Sequence, residues 1–402
     1  MDDTSLKSQK HVLHIIKRTV GKGRNVLRNA RHESIARLLH GRMYQPTSNE
    51  DPELHLREGA EWLLRAQDAG SDRGVSYGVN FGDQFLESYP ETTGYIIPTF
   101  LSLADHFNDN SFAHRAVEMG EWESRIQMES GAVMGGRFNE DPTPAVFNTG
   151  MVLLGWSALQ AQRPNPTTSD SIRRASAWLI AMQDSDGNWR RGNSQFANRD
   201  ATVYNVKAAW GLCEAGKVAM NPKAIESATL NAEFAISRQL ENGWFRDCSL
   251  GDPNRPLLHT IAYSMQGLIG IGVIVGRDDF VEAAKKTADG LVQLMGDDGF
   301  IPGCIGSDFR GSASWCCLTG SAQTAIVWGR LFELTGDRDY LDAMDRVLGY
   351  LMRHHDITNS DLCLRGGVPG SWPVWGEYGR TKILNWATNF FVEALLLRLT
   401  ID

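Results

Sequence analysis

The stretch Gln183-Asp-Ser-Asp-Gly-Asn-Trp189 ends a predicted helix with a glutamine, an Asp-Gly turn and a tryptophan. Related stretches recur along the chain at spacings of 54 to 60 residues, each with a glutamine followed by a glycine. Their glutamines are Gln67, Gln127, Gln183, Gln239 and Gln293. A self-similar period of this length is typical of a repeat architecture. A degenerate sixth copy is expected near residue 349, followed by Gly366-Gly367.

Two kinds of predicted helix alternate from residue 53 onward. The first kind is amphipathic with a charged face, which predicts an outer position; these helices are 53–67, 112–128, 169–183, 222–239, 279–295 and 338–355. The second kind is apolar nearly all round, which predicts a buried position; these are 92–104, 148–161, 204–215, 259–275, 319–334 and 385–399. Six of each predict an all-α (α/α)6 toroid of six hairpins over residues 51–402.

The connections between these helices differ in length. Inner-to-outer links are short, whereas outer-to-inner links run for about 15 to 30 residues and are rich in Gly, Trp, Arg and Asn. Long connections in compact domains are usually functional. All of them lead into the N-termini of inner helices, so they are expected on one face, with short β segments in the loops. That face is the predicted functional face.

The composition is that of a soluble globular protein, with 402 residues, 42% apolar and 22% charged. No apolar run approaches the roughly 18 residues of a membrane span, and the N-terminus lacks a signal-peptide pattern. A cytoplasmic location is therefore expected. The six cysteines show no CxxC spacing. Cys316 and Cys317 are expected to be free and buried, and neither a metal nor a cofactor is expected.

Residues 1–50 form a predicted basic N-terminal arm. Residues 1–45 hold ten Lys or Arg and three acidic residues, which leaves 30 basic and 45 acidic residues in the remainder. The arm is interpreted either as a helix packed on the outside of the ring or as an amphipathic segment that contacts anionic membrane or an acidic partner. Nucleic-acid binding is disfavoured because the basic residues are confined to the arm.

The pattern Gln-x-x-Asp-Gly-x-Trp at 183–189 resembles the Gln-Trp motif of terpene-cyclase and prenyltransferase toroids. The chain lacks the Asp-x-Asp-Asp acid motif of squalene-type cyclases, so the resemblance implies the fold and not that chemistry. The six-hairpin layout over 53–400 resembles glycosidase and polysaccharide-lyase toroids. Residues 366–375 and 385–391 resemble uncharacterised proteins of bacterial surface-polysaccharide loci, and more loosely the C-terminal domain of glucuronyl C5-epimerases.

Polar residues open the apolar inner helices and are the candidate catalytic groups. Tyr89, Glu91, Tyr204 and His259 can each move a proton. Side chains for binding a substrate are expected among helix-start asparagines, which are also good N-caps, and among loop residues that stack on sugars or pair with carboxylates. These are Asn148, Arg310, Trp315, Trp372, Trp375, Arg380 and Asn385.

These residues favour an enzyme acting on an acidic, uronate-containing polysaccharide or oligosaccharide, of lyase or hydrolase type. In β-elimination, Arg310 or Arg380 with Asn148 neutralises the carboxylate, Tyr204 or His259 takes the C5 proton, and Tyr89 protonates the leaving oxygen. Hydrolysis needs a second carboxyl beside Glu91; the candidates are Asp200, Asp247, Asp308 and Glu377. A uronyl C5-epimerase, a non-catalytic glycan-binding or assembly protein and a terpene-cyclase-like toroid remain alternatives.

Overall fold

The computed structural model describes residues 41, 43–46, 48–193 and 197–401. Most of the predicted N-terminal arm lies outside these residues, and the body described here begins at Pro46. The outer helices are α1 (Pro52–Asp68), α3 (Asn110–Ile126), α5 (Pro166–Met182), α7 (Pro222–Ser237), α9 (Asp278–Leu294) and α11 (Arg338–Arg353). The inner helices are α2 (Pro90–Phe107), α4 (Val146–Gln162), α6 (Val206–Val218), α8 (Leu258–Val275), α10 (Leu318–Thr335) and α12 (Asn385–Thr400).

The inner helices form a closed ring. Each packs on the next in chain order, and α12 packs on α2 to complete the circle. Each inner helix also packs on the outer helix that follows it, with α12 packing on α1. The predicted (α/α)6 toroid is therefore confirmed, and the alternation of apolar and amphipathic helices is its cause, because a helix that is apolar all round must lie inside.

The repeated glutamine ties neighbouring outer helices together. Nε2 of Gln183 donates to the carbonyl of Gly187 in its own turn, at 2.9 Å, and to the carbonyl of Ser227 on α7, at 2.8 Å. Gln127 and Gln239 make the same pair of bonds in their own repeats. In the fifth repeat the equivalent position, four residues before the glycine, is Met295 and not the predicted Gln293. The repeat is thus a hydrogen-bonded clamp between adjacent hairpins.

The glycines of the second to sixth repeats, Gly131, Gly187, Gly243, Gly299 and Gly366, have a backbone conformation that other residues rarely adopt. Gly187 has φ +85°, and a Cβ there would lie 2.4 Å from the carbonyl oxygen of Leu230 on the next outer helix. Gly366, in the sixth repeat, has φ +80° and abuts the carbonyl of Glu58 on α1 in the same way. The predicted degenerate sixth copy therefore makes the same turn contact as the other repeats. This contact joins the loop before α12 to α1.

Short antiparallel strand pairs hold the long loops on the face where inner helices begin. β1 (Gly78–Asn80) pairs with β6 (Lys382–Leu384), β2 (Met134–Gly135) with β3 (Thr143–Pro144), and β4 (Cys316–Cys317) with β5 (Ser371–Trp372). The first pair joins loops about 300 residues apart in sequence. It places Lys382 opposite Asn80 of the first loop.

Helix α8, Leu258–Val275, corrects one expectation. Among the described residues it is a helix long and apolar enough to cross a membrane by length and composition, although the sequence was expected to contain none. Within the fold, 78% of that window is buried inside the protein, as in the core helix of a toroid.

Candidate active site

A cavity of about 590 Å³ opens where the inner helices begin. Five of the predicted residues line it: Tyr89, Glu91, Asn148, Tyr204 and His259. They come from the starts of α2, α4 and α8 and from a 3₁₀ turn, Val203–Asn205, that precedes α6. The N-terminal ends of these helices carry partial positive charge, which favours an anionic ligand.

Within the described structure, Glu91 is one of the two acidic residues that line the cavity. It stands in the first turn of α2, and the Tyr89 hydroxyl donates to its Oε2 at 3.0 Å. Desolvation raises the pKa of Glu91 to about 7, although the hydrogen bond from Tyr89 acts in the opposite direction. A carboxyl group with this pKa can hold or release a proton near neutral pH.

His259 is neutral in this environment. Burial lowers its pKa to about 4, against the opposing effect of its hydrogen bond to Gln323. The 2.6 Å contact joins His259 Nδ1 to Gln323 Oε1, so Nδ1–H donates and Nε2 keeps its lone pair. The ring packs on Tyr263 and Tyr378, with centroids 4.3 and 5.2 Å away. His259 is thus a hydrogen-bond acceptor held at a fixed orientation and a weak base.

Aromatic rings form the walls of the cavity. Tyr77, Tyr89 and Trp386 make one cluster, with centroid separations of 4.8 to 5.9 Å. Phe147 packs on Tyr204 and Tyr263 on another side. Such faces suit the apolar faces of sugar rings.

Two cations and a second carboxyl reach the cavity from loops. Arg137 pairs with Glu87 at 2.8 Å and with Glu140 at 2.9 Å, so its charge is already balanced. Lys382 lies over the ring of Tyr77, 5.7 Å from the centroid. Within the described part of the chain, no carboxylate oxygen lies within 4 Å of the Lys382 nitrogen. Among the described residues, Lys382 is therefore the cation of the cavity lining that has no carboxylate within 4 Å.

Sequence reasoning missed Arg137, Glu140, Lys382 and Tyr263. Arg137 and Glu140 stand in an outer-to-inner loop of the kind predicted to be functional, so the loop was identified without these residues. Tyr263 follows His259 by one helical turn, a spacing that places both on the same face of α8. Lys382 had no local signal, because only the pairing of β1 with β6 brings it to the cavity.

The other predicted binding residues lie outside this cavity. Arg310 is 87% exposed at the side chain and faces Asp308, and Arg380 is also exposed. Trp315 is buried against Gly303 and Gly376, while Trp372 packs on His354 with centroids 4.8 Å apart. Trp375 is half-buried. The sequence predicted that Arg310 shares this cavity. The structure shows instead that the loop holding Arg310 leaves its side chain in solvent.

Asn385 and the four residues predicted as a second catalytic carboxyl do not line the cavity either. Nδ2 of Asn385 donates to the Ser76 carbonyl and to Thr92 Oγ1, both at 2.7 Å, so this residue joins the two ends of the ring. Asp200, Asp247, Asp308 and Glu377 do not line the cavity. Asp247 pairs with Arg238 and Glu377 with Arg255. Glu140 is the second carboxyl that the cavity contains.

Asn148 lines the cavity, but neither it nor Asn385 is an N-cap. The caps of α4 and α12 are Ala145 and Leu384, which make no side-chain capping bond. Asn148 instead donates from Nδ2 to the Met134 carbonyl at 3.0 Å, which fixes its amide at the cavity wall.

Solved structures share this fold, whereas no protein-family model and no curated protein sequence matches the chain. An unsaturated glucuronyl hydrolase specific for heparin superposes with a TM-score of 0.69 at 15% identity, covering 88% of this chain and 98% of that one. The unsaturated glucuronyl hydrolase of Bacillus sp. GL1, responsible for glycosaminoglycan degradation, gives 0.69 at 14% identity over 87% and 97%. Cellobiose 2-epimerase from Bacillus thermoamylovorans gives 0.67 at 10% identity over 85% and 97%.

These similarities establish the toroid of the six-hairpin glycosidase type, as the sequence resemblance implied. At 10 to 15% identity they establish the fold alone.

Proposed function

We propose that this protein is a hydrolase of uronate-containing oligosaccharides, with Glu91 as the residue that transfers the proton. The observation that carries the proposal is the state of Glu91. Its pKa is raised to about 7 inside a cavity whose walls are aromatic and whose mouth holds a cation. Proton transfer by a positioned group is most effective when its pKa lies near the working pH.

Lys382 is the residue that recognises the uronate carboxylate. Its ammonium group lacks a carboxylate within 4 Å in the described structure, whereas Arg137 is engaged by Glu87 and Glu140. The partial positive charges at the starts of the inner helices add to this attraction. A carboxylate on the substrate would therefore meet a counter-charge at Lys382.

Hydrolysis agrees with the cavity better than β-elimination does. Elimination with Tyr204 as the base requires a tyrosinate, and burial raises the pKa of Tyr204 well above its ordinary value. His259 is a weak base because its pKa is lowered to about 4. The same argument weighs against epimerisation at C5, which begins with removal of the same proton. Glu91 is the cavity residue with a proton to give at neutral pH.

A second carboxyl is available to activate the attacking water. In glycoside hydrolysis, one carboxyl donates a proton while another activates or replaces the water. Glu140 lines the same cavity and is kept in place by Arg137, which donates to Oε1 from Nε at 3.0 Å. Glu140 is the residue we assign to that second role.

The substrate class follows from the cavity together with the fold. Of the unsaturated glucuronyl hydrolases that share the toroid, one is specific for heparin and another is responsible for the degradation of glycosaminoglycan. We infer that this protein likewise takes an oligosaccharide whose terminal sugar is an unsaturated uronate. Contact of the N-terminal arm with a membrane or partner stays a separate prediction, since most of that arm lies outside the described residues.

Ultraviolet absorbance tests the reaction directly. Unsaturated uronyl disaccharides from heparin, chondroitin and hyaluronan carry a C4–C5 double bond conjugated to the carboxylate. Hydrolysis frees the unsaturated uronate, whose ring then opens and whose C5 enol converts to a ketone. Incubation with the purified protein should therefore remove this absorbance and release a free sugar that mass spectrometry identifies. Glu91→Gln should lower kcat/KM by about 10²- to 10⁴-fold, the usual loss when a general acid or base is removed.

Glu87→Gln is the matched control, because Glu87 contacts Arg137 from outside the cavity lining. It should keep most of the activity. A gain of absorbance from saturated uronate glycans would identify elimination instead. Full activity in Glu91→Gln, or saturable binding of these glycans without turnover by the wild type, would refute the hydrolase assignment.

A further inference from the structure

A second cavity enters the inner ring from the opposite end. It has a volume of about 750 Å³ and is lined by residues in the last turns of the inner helices, including His106, Val218 and Thr400. Its lining also includes Lys207, in the first turn of α6. Val218 stands eleven positions after Lys207, and at 1.5 Å per residue the cavity follows α6 for about 16 Å. It is therefore a deep funnel with Lys207 at its inner end.

An aromatic layer lies between the two cavities. Tyr263 lines the candidate active site, whereas Tyr95 and Phe390 line the funnel. Tyr95 stacks on Phe390 with centroids 5.1 Å apart, and Phe390 meets Tyr263 edge-on at 6.1 Å. The funnel is thus a separate compartment that the proposed hydrolysis does not use.

Lys207 is a buried amine with no counter-ion in contact. The residue is only 4% exposed, and its Nζ lies 4.1 Å from the centroid of the Trp210 ring. Among the described residues, no carboxylate oxygen comes within 4 Å of this nitrogen, and Glu393 is the acid whose charge acts on it. A buried, uncompensated ammonium is costly, so burial lowers the pKa of Lys207 to about 7.

Other charged groups share the funnel with Lys207. They come from its own helix and from the helices packed around it, and they are Glu214, Lys217, Glu393, Arg330, Asp105 and His106. Several are already engaged. Glu214 accepts from Trp210 Nε1 at 3.2 Å, Arg330 pairs with Glu333 at 2.7 Å, and His106 pairs with Glu53 at 2.9 Å. Positive and negative groups are balanced, so the funnel has no marked preference for an ionic ligand.

We propose that this funnel is a covalent binding site for a small carbonyl compound, an aldehyde in particular, which condenses reversibly with Lys207. The nitrogen lone pair adds to the carbonyl carbon while the C–O π bond breaks and the oxygen takes a proton. Loss of that hydroxyl as water and of the remaining amine proton then gives the imine. A buried lysine that lies against an aromatic ring and has a lowered pKa is the nucleophile that such chemistry requires.

Glu393 is the group that would carry the proton. It lines the same funnel, and desolvation raises its pKa while the charge of Lys207 lowers it. A carboxyl in this state can protonate the departing hydroxyl and accept the proton again on hydrolysis of the imine. A neutral ligand is consistent with the balanced charge of the funnel and with the aromatic residues Trp210, Tyr95 and Phe390 in its lining.

Reductive trapping tests this site on the whole protein. Butyraldehyde and sodium cyanoborohydride at pH 7 convert an imine into a stable secondary amine, which peptide mass spectrometry locates. Lys207 should react at least about tenfold faster than Lys217, an exposed residue of the same helix, because burial leaves a large share of the Lys207 amine neutral at pH 7. The difference should shrink at pH 10, where exposed amines also become neutral.

Two variants complete the test. Glu393→Gln should slow the trapping at Lys207 several-fold and leave Lys217 unchanged, and Glu91→Gln should leave both rates unchanged because Glu91 lies in the other cavity. The site is refuted if Lys207 in the native wild type reacts no faster than Lys217, or reacts only after urea unfolds the protein. Since none of these measurements uses a glycan or depends on hydrolase activity, failure of the hydrolase assignment does not affect them.

Discussion

At the scale of single residues, the hydrogen bond between Tyr89 and Glu91 sets the proton chemistry of the candidate site. The phenol donates to the carboxylate at 3.0 Å, which stabilises the charged form, while desolvation favours the neutral form. Desolvation is the larger effect, and the pKa of Glu91 settles at about 7. The sequence predicted both residues because they flank the start of an inner helix, but their mutual contact is a property of the fold.

The pH dependence of activity follows from this pair. If Glu91 donates its proton, kcat/KM should fall as pH rises through about 7, where the carboxyl becomes ionised. Tyr89→Phe removes the bond that stabilises the carboxylate, so the pKa of Glu91 should rise and the alkaline limb should move to higher pH. Tyr204→Phe, which removes no hydrogen bond to Glu91, is the control. An alkaline limb that stays in place or moves down in Tyr89→Phe contradicts this account.

At the scale of elements, the turn after each outer helix determines how hairpins join. The glutamine clamp and the glycine act together, since the bend at positive φ brings the turn against a carbonyl of the next outer helix. Met295 in the fifth repeat shows that the glutamine is replaceable, whereas a glycine with positive φ occurs in that repeat too, at Gly299. In the first repeat the reverse occurs: Gln67 donates to the carbonyls of Arg73 and Arg115, and Arg73 adopts the positive φ, at +82°. The turn at positive φ is therefore what these repeats share, and neither the glutamine nor the glycine is present in every one.

Gly187→Ala should destabilise the protein by at least about 2 kcal/mol, because it combines an unfavourable backbone conformation with a close contact. The new Cβ would lie 2.4 Å from the Leu230 carbonyl oxygen, a backbone atom that cannot turn away. Gly251→Ala is the matched control, since no atom lies within 4 Å of a Cβ there. Urea unfolding monitored by circular dichroism measures both. Equal stability of the two variants would show that the turn adapts.

At the scale of the whole ring, closure depends on contacts between α1 and the segment that follows α11. Trp62 donates to the Cys363 carbonyl at 2.8 Å, and Arg365 pairs with Glu58. Two buried histidines meet beside them, with His55 Nδ1 and His355 Nδ1 2.8 Å apart. His55 Nε2 donates to the Asn49 carbonyl at 2.9 Å, so its Nδ1 accepts and His355 Nδ1–H donates.

This histidine pair makes the ring sensitive to acid. Burial lowers the pKa of both residues, to about 3 for His355. The unfolded chain takes up protons near pH 6.5 while the folded state does not, so stability is complete above that pH and is lost as pH falls toward 3. Each histidine should contribute a loss of up to about 1.4 kcal/mol per pH unit.

Urea unfolding of His355→Asn at pH 7.5 and pH 5 measures this effect. Asparagine keeps an N–H donor near Nδ1 and does not titrate. The free energy of unfolding of this variant should therefore fall less steeply with acid, by up to about 1.4 kcal/mol per pH unit. His114→Asn is the control, because the His114 side chain is 77% exposed. If the free energy of unfolding of His355→Asn depends on pH as in the wild type, the histidine pair is not the cause of the acid sensitivity.

The sequence by itself determined the toroid, the order of its helices and the face on which the site lies. Those features depend on short-range periodicity, because an apolar helix must be inside and an amphipathic one outside. It also predicted Tyr89, Glu91, Asn148, Tyr204 and His259, which stand at or near helix starts and so follow the helices into place. Only the tertiary structure decided which loop residues reach the cavity. Lys382 arrives there through the pairing of β6 with β1, and Arg310 is carried into solvent, since loop direction is set by contacts far apart in sequence.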